Sequence, residues 1–576
     1  MQSNKFALPA ALFLASLGAI AAVWVWLGAP AMLSRSPVNP AVKLDCVSYA
    51  PFRDDQSPFT EGLIVSPDQI AEDLGELAKI SRCVRIYSVD NGLDKVPELA
   101  SRFGLKVILG IWLGRDRIKN DELVETALGL AQAHADVVTS IIVGSEVLLR
   151  GEMTATDLRA IIRSVKARVN IPVSYADVWE FWLRYRDISE DVDFITIHIL
   201  PYWEDFPVRA EIAAAYVDDI RNRLAAVFPG KEILIGETGW PSSGRMRSGA
   251  VPSRINQARF FSEIVARASQ ENFRVNLFEA YDARWKRRWE GTVGGHWGLF
   301  DAWHRMKYPP GEAVSDHPFW RLQLVCGLAF CALAFGAGFL ALGSRQSYSP
   351  LGSWIAVAVI AATGGSLLGL AAEKMLAESY GLGDWLLRSA LLVAAIAAPL
   401  QASNALMAGR ALPTFLELMG PGGDKPLSRS TMAIGLTLVV TTIIATETAL
   451  SLVFDPRWRD FPFAALTMVA VPFGTVTLLN RRKADARPLA EAVFAGLFGA
   501  TALYVLFNEG LHNWQSLWTS AMFVVFGTTL WQVRSVAVTA ARTPVQPITP
   551  ALSTQASTVE AVKSSETLGL PHRRRS

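Results

Sequence analysis

The sequence predicts an α/β fold, a (β/α)8 TIM barrel, followed by an all-α domain of membrane-spanning helices. Three observations carry this. Eight short β-branched or aromatic runs alternate with helical stretches between residues 44 and 282. Charge is absent from residues 6–34 and from several long windows after residue 321, whereas the stretch between is dense in Asp, Glu, Arg and Lys. The basic residues that punctuate the later windows fall mostly on alternate loops. With 576 residues, 51% of them hydrophobic, the chain is too long for one ordinary domain and too apolar to be soluble throughout.

The eight runs are 44–49, 83–88, 105–112, 138–146, 171–175, 193–199, 231–237 and 274–282. Amphipathic windows such as "PDQIAEDLGELAKI" (67–80) lie between them, with apolar residues at helical spacing. Strand alternating with helix implies a parallel sheet, and eight such units in about 240 residues match a closed barrel. A doubly wound open sheet would announce itself by a glycine-rich phosphate loop after the first strand. "SYAPFRDD" is no such loop.

The barrel domain is placed at 36–318. Before it, 1–35 reads as a transmembrane anchor, because the apolar run 6–34 exceeds a signal-peptide core; "GAPAML" (28–33) offers cleavage as the alternative. After it, 319–535 holds seven expected spans: 322–343, 353–372, 385–408, 431–454, 463–480, 491–507 and 517–533. With the barrel outside, the inside loops carry eight basic residues (Arg345, Arg410, Lys425, Arg429, Arg481, Arg482, Lys483, Arg487) and the outside loops three (Lys374, Arg457, Arg459). That asymmetry is the one membrane insertion selects. The polar, Ser/Thr/Pro-rich tail 536–576 is expected to be disordered and cytoplasmic. The net charge of +2 gives no reason to expect a nucleic-acid partner, since the basic residues serve topology. Cys46 and Cys83 fall on neighbouring expected strands; two buried free thiols are the commoner state, and a bridge is the alternative. Glu447 lies within a span, as a functional group or as a carboxylate reaching water at the outer end. "GLFGA" (496–500) suggests close helix packing.

In such barrels the chemistry lies at the C-terminal ends of the strands. Those ends carry Tyr49, Tyr87, Trp112, Glu146, Tyr175, Asp177, Glu237, Trp240, Glu279, Asp282 and Lys286, with "HILPYWED" after the sixth. Flat aromatic faces beside carboxylates suit a sugar site. Two carboxylates across a cleft can break a glycosidic bond, one protonating the leaving oxygen and the other attacking carbon or activating water. Glu146 and Glu237 project from opposite arcs of the rim, each after an apolar strand and a small residue. The competing role for each is an ion pair with a rim Arg or Lys.

"VRIYS", "VGSEV", "GETGWPSSG" and "FEAYDARWK", in that order, resemble glycoside hydrolase family 17, which contains β-1,3-glucan endohydrolases and fungal β-glucan transferases. The resemblance covers roughly 44–300. It implies a retaining enzyme on β-glucan with Glu237 as nucleophile and Glu146 as acid/base, and with no cofactor or metal. It also implies a sugar-binding surface drawn from Tyr49, Tyr87, Ser145, Tyr175, Tyr202, Trp203, Glu204, Trp240, Glu279 and Lys286. Within it, Trp240-Pro241 is expected to wall the donor site and Tyr202–Trp203 to form an acceptor platform, with packing as the other role of Trp203. Glu279 and Lys286 either bind hydroxyls or form a structural ion pair. Ser145 departs from the family's usual Asn, which leaves the reach to a sugar 2-hydroxyl altered.

The whole layout is similar to bacterial membrane proteins of cyclic β-1,3/1,6-glucan biosynthesis, described as β-(1→6)-glucan synthases. From that likeness follow an inner-membrane location, a periplasm-facing barrel, and the bilayer and a membrane glucan synthase as partners. The favoured activity is glucanosyl transfer; endo-hydrolysis and a catalytically inactive glucan sensor are the alternatives. A nucleotide-sugar polymerase would need a metal–diphosphate site. The "DVD" at 191–193 sits at the wrong rim for one, and the histidines are scattered, with His198 expected in the core.

Overall fold

The computed structural model describes residues 7–33, 42–54, 56–342, 351–419, 427–480 and 489–533. The expected tail at 536–576 lies outside them. Eight parallel strands close a barrel in sequence order: β1 (Cys46–Ser48), β2 (Cys83–Arg85), β3 (Lys106–Ile111), β4 (Val138–Ser145), β5 (Val173–Val178), β6 (Ile195–His198), β7 (Ile233–Thr238) and β8 (Val275–Leu277). Helices α1 (Ala7–Leu27) to α17 (Trp514–Val533) are counted along the chain; those between strands form the outer ring, as α2 (Pro67–Ile80) does between β1 and β2. α2 begins where Ser66 accepts from Gln69 N, and it buries Ile70, Leu74 and Leu77.

Each expected run contains an observed strand. The eighth is shorter than expected. Phe278 N still bonds Thr238 O of β7, but beyond it the chain bonds elsewhere, Glu279 N to Trp297 O, Ala280 N to Ser48 O and Asp282 N to Phe300 O. Inside the barrel Cys46, Cys83, Ile108, Ile142, Ala176, Phe194 and Leu234 form one apolar cluster. The two cysteines are joined in a disulfide tying β1 to β2, so the expectation of free thiols is corrected. Towards the C-terminal end the interior turns polar: Ser174 bonds Thr196 at 2.8 Å, and Asn276 donates to Ser48 Oγ and Gly236 O, both at 2.7 Å. Every lining group there needs a partner, because burial without one is costly. Asp191 and Asp193, the "DVD" pair, are held in ion pairs with Arg159, Arg163 and Lys166.

The helical domain consists of α1, α10 (Trp320–Leu342), α11 (Leu351–Glu378), α12 (Gly381–Ala408), the short α13 (Phe415–Met419), α14 (Arg429–Phe454), α15 (Phe463–Leu479), α16 (Leu489–Glu509) and α17. Each of the seven expected segments after the barrel contains a helix among the described residues. Among the described residues, six helices are long and apolar enough to cross a membrane by length and composition: α1, α10, α11, α12, α14 and α16. α15, at 17 residues, is shorter, and α17 does not join the six. α1 packs into this domain: Ile20 and Trp24 are fully buried and Trp24 Nε1 donates to Gly365 O. The expected close packing at "GLFGA" is corrected in its place. A Cβ at Gly496 or Gly499 would touch nothing within 4 Å, and the close approach is made by Gly527 against Ala495 O at 3.1 Å. Glu447 is exposed on α14.

The barrel rests on one end of the helices. Ala31 and Val314 pair as a bridge where the chain enters and leaves the barrel. Arg287 donates to Ser379 O, Thr292 to Asp460, and Asn513 to Met246 O. The connections α11–α12, α14–α15 and α16–α17 therefore meet the loops that follow β7 and β8, which belong to the C-terminal rim. Arg410 and Arg429 lie at the opposite ends of α12 and α14. Arg345, Lys425, Arg481, Arg482, Lys483 and Arg487 lie outside the described residues.

Candidate active site

β4 ends in Gly144 at φ 84 and Glu146 at φ 55, a left-handed twist that a carboxylate residue tolerates only under constraint. The constraint is visible. Glu146 N bonds Ala176 O on β5 at 2.8 Å, and the register between β4 and β5 shifts there. The twist turns Glu146 into the mouth of the barrel with 27% of its side chain exposed.

Glu237 sits on β7 across the mouth, 8% exposed at its side chain. A Cβ at the preceding Gly236 would lie 2.3 Å from Thr196 Cγ2 and 3.0 Å from Arg85 Nη1. The glycine thus makes room for Arg85, whose Nη1 donates to Gly236 O at 2.7 Å and approaches Glu237 Oε1 at 3.6 Å. His198, at the end of β6, stands between the two glutamates. Its Nδ1 is 2.8 Å from Glu146 Oε1, and its Nε2 is 3.4 Å from Glu237 Oε1 and 3.2 Å from Arg85 Nη1. Ligand atoms of Glu146, His198 and Glu237 lie within 4.8 Å of one another, close enough to share a cation. The Arg85 guanidinium already places positive charge beside His198 and Glu237, so a cation here would work against it.

Burial acts to raise the Glu146 carboxyl, but the hydrogen bond and charge of His198, with Arg150 and Arg85, outweigh it and hold the group below its ordinary value. Burial pushes Asp177 up to about 6, against the hydrogen bond from Tyr175 and with help from the charge of Glu146. Burial lifts Glu279 to about 7 despite Lys286.

The other expected residues divide. Tyr87 is half-buried beside Glu237, its hydroxyl 2.8 Å from Ser48 Oγ. Trp203 is half-buried, edge-on to Tyr202 at 5.0 Å with Arg247 5.2 Å from its ring. Glu204 accepts from Trp179 Nε1 at 3.3 Å. Ser145 points inward, 3.5 Å from Arg85 Nη2. Four expected sugar-facing rings are instead sealed beneath the rim, and their place is corrected to packing. Tyr49 is 1% exposed and donates to Asp73; Tyr175 is 1% exposed and donates to Asp177. Tyr202 and Trp240 are fully buried and donate to Arg245 O and Val251 O. Tyr49 and Tyr175 follow the inward-facing Ser48 and Ser174, so strand alternation turns them outward against the helices, whereas Tyr202 and Trp240 are covered by the loop after β7; each polar tip is consumed by a neighbour. Glu279 and Lys286 form a buried ion pair at 2.7 Å, the structural one of their two expected roles.

Arg85 and His198 were not among the expected site residues, and Glu290 was missed as well. Arg85 carried a signal: a charge in the middle of the apolar run "CVRIYS" must face a partner. His198 carried none beyond its place at a strand end. Glu290, on α9 (Arg287–Glu290), has its carboxyl raised by burial against Lys286, with Glu146 and Glu237 raising it further and Arg457 opposing.

Residues 46–298 match the model of the BtgE/BtgC glycoside hydrolase domain. The chain is 26% identical over 259 residues to a glucan 1,3-beta-glucosidase of Candida albicans, covering 41% of this chain and 84% of that protein. It is 26% identical over 271 residues to a glucan 1,3-beta-glucosidase of Saccharomyces cerevisiae, covering 43% and 86%. Among solved structures, a glycoside hydrolase family 17 beta-1,3-glucanosyltransferase from Rhizomucor miehei aligns at 26% identity with TM-score 0.41, over 46% of this chain and 95% of that one. The barrel of this protein, with its paired glutamates at the C-terminal rim, is similar to the BtgE/BtgC glycoside hydrolase domain and to the fungal glucan 1,3-beta-glucosidases.

Proposed function

We propose that the protein is a membrane-bound, retaining β-glucan glucanosyltransferase, with Glu237 as nucleophile and Glu146 as acid/base. The observation that carries this is the spacing of the two carboxylates. Their facing oxygens lie within 4.8 Å, near the separation of about 5–5.5 Å typical of retaining pairs and short of the gap an intervening water needs. Glu146 delivers a proton to the leaving oxygen while Glu237 attacks the anomeric carbon, forming a glycosyl ester. Glu146 then takes a proton from the acceptor, either water or a sugar hydroxyl. Arg85 and Tyr87 flank Glu237 and aim it. The substrate class, a β-1,3-glucan, follows from the likeness to glucan 1,3-beta-glucosidases.

Transfer over hydrolysis requires a site that holds an acceptor better than water. Trp203 beside Glu204 is the acceptor platform in this reading, now without Tyr202. The apolar helices are read as spans, with the barrel on the outer face and the α11–α12, α14–α15 and α16–α17 connections beneath it. The disulfide suits an oxidising compartment, and α1, packed against α10 and α11, is an anchor retained in the mature protein. The domain limits remain 1–35, 36–318, 319–535 and 536–576. The layout supports a place among proteins building cyclic β-1,3/1,6-glucan in a bacterial inner membrane, with a glucan synthase as neighbour.

The test is product length and linkage from a defined β-1,3-gluco-oligosaccharide, by mass spectrometry and NMR on the detergent-solubilised full chain. Products longer than the substrate support transfer, and their linkage separates 1,3 elongation from 1,6 branching. Only shorter products make it a hydrolase. Binding without turnover makes it a sensor.

A further inference from the structure

The reading above leaves the α14–α15 connection, 455–462, without a task beyond joining two helices. Its position is unusual. It lies against the rim loop that follows β8. A Cβ built at Gly291 would be 3.4 Å from Arg457 O and Trp458 Cα and 3.5 Å from Trp458 Cδ1. Gly291 itself stands at φ 73, ψ −166, a conformation essentially reserved for glycine, so the rim backbone meets this connection without a side chain between them.

We propose that this connection is a working part of the substrate cleft, with Trp458 forming an added sugar-stacking subsite that the barrel alone lacks. The inference rests on the β-glucan reading and extends it to long chains. Four observations converge. The connection is pinned to the rim: Thr292 Oγ1 donates to Asp460 Oδ2 at 2.8 Å, and Arg388 holds the same oxygen at 3.1 Å. The rim residue next to Gly291, Glu290, lies close enough to Glu146, Glu237 and Arg457 for their charges to act on its carboxyl. Trp458 is left 42% exposed, a large flat ring beside a polar rim. Further open rings lie on the barrel's own rim: Trp289 of α9 is 47% exposed and Phe59, in the loop after β1, 62%, edge-to-face at 5.6 Å. Phe59 and Trp289 thus form an open aromatic pair on the rim near Gly291, and Trp458 lies against Gly291 from the connection, so the rim and the connection together offer apolar rings to a chain running past the site.

The competing role for Trp458 is an interfacial anchor, in which the ring lies among lipid headgroups and no sugar touches it. The two roles separate by substrate length. The full chain in lipid nanodiscs is assayed with short and long β-1,3-gluco-oligosaccharides, comparing wild type, Trp458→Ala and Trp458→Phe. Trp458→Ala is expected to raise KM for the long substrate by about tenfold, the loss of one stacking contact. Its kcat and its KM for the short substrate stay at the wild-type values, and Trp458→Phe recovers most of the difference. A long-substrate KM unchanged in Trp458→Ala overturns the subsite while leaving the β-glucan reading intact. An equal rise in KM at both lengths overturns it too, because the ring then acts on the cleft's shape. A wild type that neither binds nor turns over any length sinks the β-glucan reading and the subsite with it.

Discussion

One imidazole stands between two carboxylates. His198 is fully buried, 2.8 Å from Glu146 and 3.4 Å from Glu237, so the two carboxylates meet through one ring. In the proposed mechanism Glu146 must be protonated at the first step and Glu237 ionised. The sign of the effect of His198 follows from the balance at Glu146. Burial raises that carboxyl, and His198 is the leading cause that lowers it. Activity that needs the protonated acid is lost as pH rises through its pKa. Replacing His198 by Gln removes the leading lowering cause and leaves burial opposed only by the charges of Arg150 and Arg85, so the basic limb of the kcat/KM profile moves to higher pH. A basic limb that stays put in His198→Gln shows that the acid is another group. Glu237→Gln, nearly isosteric, lowers turnover by several orders of magnitude with an unchanged melting temperature; appreciable residual activity would remove Glu237 from the nucleophile's role.

At the scale of strands, β7 shows why a rigid element carries the nucleophile. It is paired on both sides, Ile195–Ile233 to Ile197–Ile235 with β6 and Ile235–Val275 with β8, and cannot slide to relieve a clash. Gly236→Ala drives a methyl to 2.3 Å from Thr196 Cγ2 and into the Arg85 guanidinium. The expected cost is about 1–3 kcal/mol of stability, with activity lost through displaced Arg85 rather than through a missing group. A Tm and kcat equal to wild type would show that the strand yields after all. The strands also show what the sequence could disclose. Short β-branched runs alternating with helical stretches located all eight, and reading residues off their ends found Glu146 and Glu237, because in a closed parallel barrel the strand ends form the rim. Burial within the rim was not legible. Tyr49 and Trp240 look like sugar platforms in sequence, yet Tyr49 falls on the outward face of its strand, against α2, and Trp240 lies under the loop that follows β7. For Trp240 the turn is set by contacts with Val251 and Gln257, eleven and seventeen residues away. His198 was hidden for the same reason: its role comes from Glu146, fifty-two residues earlier on another strand.

The whole molecule is a barrel set rim-down on a helical domain, and a few buried charges hold that pose. Glu509, at the end of α16, is 2.7 Å from Arg459 of the α14–α15 connection and 3.7 Å from Arg245 of the loop after β7, with side-chain exposures of 8%, 5% and 13%. Asn513 and Gln515 add bonds to both backbone groups of Met246. One carboxylate therefore joins two helix connections to the loop that follows the proposed nucleophile. Glu509→Gln leaves two guanidinium groups facing each other without their anion. Breaking a buried pair from one side costs about 3–5 kcal/mol, whereas an exposed pair contributes about 0–1 kcal/mol. The cost falls on the interface, since neither the barrel ladder nor the α1–α10–α11 packing includes Glu509. Hydrogen exchange in the full chain is then expected to accelerate at 244–247 and 455–462 while the β-strands keep their protection. Glu125→Gln, which removes the exposed pair with Arg168 at 62% and 45% exposure, serves as the contrast and changes neither region. Equal protection in Glu509→Gln and wild type at both segments would mean that the apolar contacts alone seat the barrel.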